Sequence, residues 1–187
     1  MLVSSPMITI DPPSSPHTVL PPLSRPSLTR FLKRARALVN LPASVAILLT
    51  TDAELKRLNC TFRRKNKPTD VLSFPADPIP GLPTEHQHVG DLAISIETAA
   101  RQAEQFGHTV QQELQILILH GLLHLAGLDH ETDTGEMAAR ELDLRTRLRL
   151  PVGLIDRTLH PVPRRSATPI KPSPRTSSTP RSRQTRS

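Results

Sequence analysis

Residues 109–130 read TVQQELQILILHGLLHLAGLDH. Thr109 followed three positions later by Gln112 is the signature of a capped helix start. Leu114, Ile116, Leu117, Ile118, Leu119, Leu122, Leu123 and Leu125 then follow with almost no polar face. A helix that is apolar nearly all round has to be enclosed by other elements, so this one is predicted to be the buried centre of the domain. Gly127 can adopt the left-handed conformation that ends it.

The flanking sequence supplies the elements to enclose it. Met7–Ile10 and Ser44–Thr50 are β-prone runs, the first short and followed by Pro12-Pro13. Val71–Phe74 is a short strand stopped by Pro75, and the alternation of residues 90–97 (GDLAISIE) predicts another. Ser27–Asn40 has helical spacing of Leu28, Phe31, Leu32, Ala35 and Leu38. Thr51 and Glu54 match a capping box, predicting a helix to about Asn59 and then a basic loop over 60–69. Residues 76–89 read as a Pro-rich flap. One helix is expected to run to Phe106 with Gly107 as its stop, and a last one to span about Asp133 to Leu148. Strands and helices mix without strict βαβ alternation, which makes the class α+β.

Composition sets the limits. The 187 residues carry a net charge of +7, yet residues 157–187 hold eight Lys or Arg and no acid. The high pI therefore belongs to the tail, and the remainder is close to neutral. The chain divides into a Pro/Ser-rich segment at 1–26, a domain at 27–155 and a basic tail at 156–187. The tail lacks the apolar residues needed to offset ordering entropy and is expected to be disordered, binding RNA by charge or acting as a solubiliser. A single cysteine, Cys60, rules out an intramolecular disulfide and is expected to be a buried packing residue. Residues 1–24 show no secretory pattern, and the most apolar run is interrupted by Gln115, His120 and His124. A soluble, cytoplasmic protein that does not span a membrane is expected.

The chemistry lies at residues 120–130, HGLLHLAGLDH. His120 and His124 are four apart on the central helix, so their rings share a face about one turn apart. Two imidazole nitrogens at that spacing can reach one ion at about 2 Å. A turn at Gly127 brings His130 round as a third ligand, and three protein ligands leave a fourth tetrahedral position open for chemistry. Two unpartnered imidazoles on an otherwise aliphatic face would be costly, which favours a ligand role over a packing role. Imidazole chemistry and availability favour Zn2+, one ion, over nickel or copper. Metalloproteases of related spacing place a Glu after the first His as general base; here that position is Gly121.

Three blocks of this sequence resemble the YbeY family, zinc-dependent bacterial endoribonucleases that mature ribosomal RNA. They are Leu58-Asn59 through Phe62-Arg63 with Lys67–Pro75 (KPTDVLSFP), Gly90–Ser95 (GDLAIS), and residues 120–130. The match covers roughly residues 45–150. The resemblance implies a small α+β domain with a mixed four-stranded sheet and about five helices. It implies a single-strand-specific, metal-dependent endoribonuclease acting at the 3′ end of 16S rRNA and in ribosome quality control. It implies metal ligands His120, His124 and His130, and roles in the reaction for Arg63 and His120. Its partners would be ribosomal RNA, ribosomal subunits and ribosome-associated proteins. A metallopeptidase-like or other zinc hydrolase, and a non-catalytic ribosome-assembly factor with a structural zinc, are the alternatives.

Lys56, Arg57, Arg63, Arg64, Lys65 and Lys67 fall in a stretch without acids. Beside a hydrolase site they read as a phosphate-binding lip, with Arg57, Arg64, Lys65 and Lys67 as RNA contacts, rather than as a solvated loop face. Phe62 is the one aromatic nearby, so base readout by stacking is not expected. Asp129 or Glu131 is placed to orient a ligand histidine, or Asp129 to cap the following turn. Asp70 and Ser73 are expected to fix a loop-to-strand corner, and His86 and His88 to be solvated flap residues.

Overall fold

A computed structural model describes residues 7–11, 22–130 and 132–151. Strands β1 (Met7–Ile10), β2 (Ser44–Thr50), β3 (Val71–Pro75) and β4 (His88–Ser95) form one sheet in the order β1-β2-β4-β3. The β1–β2 and β2–β4 pairs are parallel and β3–β4 is antiparallel. With helices α1 (Arg25–Val39), α2 (Asp52–Arg63), α3 (Ile96–Phe106), α4 (Val110–Leu125) and α5 (Glu136–Leu148), this is the expected mixed-sheet α+β domain. The basic tail and Glu131 lie outside the described residues.

Alternation along the strands gives the sheet two dry faces. Val45, Ile47, Leu49, Leu92 and Ile94 point to the large core shared with α1 and α4, whereas Leu48, Leu72, Phe74 and Ala93 meet Leu55 and Leu58 of α2. Helix α4 packs against α1, α3, α5, β3 and β4, so its apolar surface is covered on all sides, as its sequence requires. Thr109 and Gln112 form the full reciprocal capping box at its start. At its end the Gly127 N–H bonds the His124 carbonyl and the Leu128 N–H bonds the Leu123 carbonyl, with Gly127 at φ +86°. That pair of bonds is a Schellman ending, which turns the chain back sharply.

Four local expectations need correction. Helix α2 continues beyond Asn59 to Arg63, and in that extra turn Phe62 extends the Leu55–Leu58 side of the helix onto Phe74 of the sheet. Its capping box is half formed: Thr51 accepts from the Glu54 N–H, but the Glu54 carboxylate turns to Arg57 at 2.6 and 2.8 Å, a stronger charge-assisted pair. Strand β4 begins at His88 and ends at Ser95, whose hydroxyl caps α3 by accepting from the Thr98 N–H. His88 is therefore a strand residue bonded to Ser44 and Asp91. Cys60 is exposed, on the outer face of α2.

Gly121 fits closely against the sheet. A Cβ there would meet Leu92 Cδ2 at 2.7 Å, so a larger residue requires the Leu92 side chain to shift within the core. The position that would carry a peptidase's Glu thus faces the buried side chain of Leu92 in the sheet.

Candidate metal centre

His120, His124 and His130 converge. Their ligating atoms lie within 4.8 Å of one another, and their ring centroids are 4.8, 5.2 and 5.3 Å apart. The helical spacing places the first two, and the Schellman turn returns the third. Nε2 of His120 and Nε2 of His124 are 3.2 Å apart. Two nitrogens bound to one tetrahedral ion at 2.0–2.1 Å would be separated by about 3.3 Å, so the pair already has the spacing a metal requires.

Protonation agrees with this. His120 is 7% exposed, and its Nδ1 is 3.1 Å from Oε2 of Glu141, which is 2% exposed. An ionised carboxylate can only accept, so this contact favours the tautomer in which Nδ1–H donates to Glu141 and Nε2 carries the lone pair. Burial, followed by repulsion from His120 and His130, holds His124 below the usual imidazole range; the Asp129 carboxylate and a bond to the Leu128 backbone pull the other way. His124 is therefore neutral near pH 7 and able to ligate. Among the described residues no other His, Cys, Asp or Glu joins the trio.

Glu141 is the functional residue that sequence reading missed. Asp129 and Glu131 were the expected orienting acids, on grounds of proximity in sequence. The signal was present in α5: the buried residues Met137, Glu141, Leu144 and Leu148 form one stripe, and a carboxylate within an apolar stripe needs a partner. Asp129 lines the same cleft and its carboxylate acts on His124 electrostatically, while its carbonyl accepts from the Thr132 and Asp133 N–H groups of the next turn.

The histidines floor a cleft of about 750 Å³ whose lining also includes Phe62, Arg63, Thr69, Asp70, Ser73, Phe74, Pro75 and Asp129. Arg63, the last residue of α2, thus reaches the same cleft as the trio. Arg57 does not line it and is paired with Glu54. Arg64, Lys65 and Lys67 are exposed on the connection from α2 to β3. That connection is anchored by Asn59, whose carbonyl accepts from the Lys65 N–H and whose side-chain amide donates to the Lys67 carbonyl. Asp70 fixes the corner locally by accepting from the Val71 N–H, and accepts from Gln102 as well, whereas Ser73 ties β3 to α4 by donating to the Gly121 carbonyl.

An α+β domain with three histidines able to hold a metal, in a cleft that Arg63 also lines, has the architecture of a metal-dependent hydrolase of charged substrates. The family model described as Endoribonuclease YbeY matches residues 24–149. The chain belongs to the YbeY family. It is 50% identical over 139 residues to Endoribonuclease YbeY of Koribacter versatilis, covering 74% of this chain and 87% of the relative. It is 52% identical over 135 residues to that of Solibacter usitatus, covering 72% and 86%. A solution structure of a Thermotoga maritima protein overlaps loosely, at a TM-score of 0.46 and 27% identity over 76% of this chain and 89% of that one. No helix among the described residues is long and apolar enough to cross a membrane.

Proposed function

We propose that this chain is a zinc-dependent endoribonuclease that processes ribosomal RNA, acting on single-stranded segments such as the 3′ end of 16S rRNA. The observation that carries the reading is the convergence of three imidazoles on the floor of a cleft that Arg63 also lines. His120, His124 and His130 hold the ion, and neutral nitrogen donors suit zinc. When bound, the ion supplies Lewis-acid polarisation of a phosphoryl oxygen. Arg63 provides a permanent positive charge where charge builds on the phosphate during cleavage. Glu141 holds the His120 ring in the tautomer that ligates. His120 thus contributes by binding the ion, since both ring nitrogens are committed. Arg64, Lys65 and Lys67 attract the RNA backbone without reading sequence. Ribosomal subunits and their associated proteins are the setting for this activity, and the cytoplasm its location.

The test uses purified protein and structured ribosomal RNA, with and without a chelator. Wild type cuts only with metal present, and His124→Ala and Arg63→Glu do not cut. Cutting that persists in both variants would mark a contaminating nuclease and remove the reading.

A further inference from the structure

The rim of the cleft carries an aromatic ring that the reaction outlined above does not use. Phe62 lies in the last turn of α2 beside Arg63, lines the same cleft as the histidines, and is 64% exposed. Isolated exposed apolar residues are common on protein surfaces. Phe62 differs from these in being held. Its ring meets that of Phe74 edge to face, with centroids 5.3 Å apart and an interplanar angle of 73°. Phe74 is itself fixed on β3, in register with Asp91 of β4. The contact supports one edge of the ring and leaves most of its surface open beside the cleft.

We propose that Phe62 is a stacking platform for one unpaired base of the RNA substrate, the nucleotide next to the phosphate that Arg63 engages. This rests on the endoribonuclease reading and deepens it. Aromatic rings stack on any base, so the contact does not select sequence. A base inside a duplex has both faces covered by its neighbours, so only an unpaired or extruded nucleotide can lie on the ring. The charges of Arg64, Lys65 and Lys67 attract duplex and single strand alike. The ring is the feature of the rim that tells them apart, so the preference for single strands arises here. Stacking, not expected from a sequence so poor in aromatics, is supplied by a single well-placed residue.

The test pairs a substitution with a missing base. The zinc-loaded full chain is given an RNA oligonucleotide that wild type cuts at one position, and a series in which one nucleotide at a time is abasic. At one position the abasic change raises KM for wild type by roughly 5- to 150-fold, with kcat far less affected. Phe62→Leu raises KM on intact RNA by a similar factor, and combining the two adds little; Phe62→Tyr restores wild-type behaviour. In a second arm, 2-aminopurine at that position reports stacking by its fluorescence in chelator, where no cleavage occurs, and the signal is lost in Phe62→Leu. Urea melts confirm that both variants are folded. If Phe62→Leu matches wild type in both arms, or the abasic penalty persists in full in that variant, the platform is disproved. If wild type binds with the stacking signal but never cuts, the nuclease reading falls and the platform stands.

Discussion

On the α4 wall of the cleft His120 is almost wholly buried, and behind it Glu141 of α5, equally buried, is bonded to its ring. On the α2 wall Phe62 and Arg63 are exposed, and so are Arg64 and Lys65 just beyond the cleft. Coordination is directional and short-ranged, and the His120 ring is held for it by packing and by a bonded carboxylate, while His124 is half-buried and His130 exposed. Attraction of a polyanion is long-ranged and nearly indifferent to rotamer, so its residues can stand in water on flexible stems. Substitutions on the first wall should therefore register in metal affinity and stability, and those on the second in RNA binding.

The sharpest challenge to that division is Glu141→Ala. Zinc affinity measured by calorimetry should fall by about 10- to 100-fold, with Glu141→Gln intermediate, while RNA binding at low salt stays unchanged. An unaltered zinc affinity would mean that the buried carboxylate does not set the His120 tautomer. Gly121→Ala follows. Its new methyl group would press on Leu92, lowering stability in urea by about 1–3 kcal/mol. Stability equal to wild type would show that the Leu92 side chain can shift at little cost.

A third test concerns how α2 is anchored. Burial pushes Asp52 up, but bonds from Ser95, Thr98 and Arg101 together outweigh it and hold the carboxylate below its usual range. A depressed folded value means the contribution is present above the unfolded value near pH 4 and is lost as pH falls through the folded one. Asp52→Asn should therefore be less stable than wild type at pH 7, and the two should converge in urea melts as the pH is lowered below about 4. Parallel curves would show that the charge contributes nothing to the anchor. The smallest effect is expected for Arg57→Ala. With its guanidinium already paired to Glu54 and exposed, stability and RNA affinity should both stay close to wild type. A larger loss of RNA binding would place Arg57 on the rim after all.

Much of this was legible in the sequence. The order of elements, the burial of α4 and the histidine trio all follow from local patterns, since the helical period and the glycine stop act within a few residues. The errors fell where two elements compete or meet. Helix α2 outran its expected end because tertiary contact with the sheet outweighed its polar ending. The reciprocal capping bond gave way to Arg57. Cys60 is small and apolar, but it lies on the side of α2 that faces away from the sheet.

By itself, the sequence determined which side chains can ligate, because residues 120–130 carry their own geometry: a pair one turn apart, a left-handed glycine and a third ring on the return. Only the tertiary structure decided what surrounds them. Glu141 meets His120 because α5 packs on α4, and Arg63 and Phe62 share the cleft because α2 ends at its rim. Gly121 fits closely because the Leu92 side chain lies behind it. Local spacing is fixed by backbone geometry, but contacts between distant segments depend on sheet order and helix packing, which no short stretch of sequence encodes.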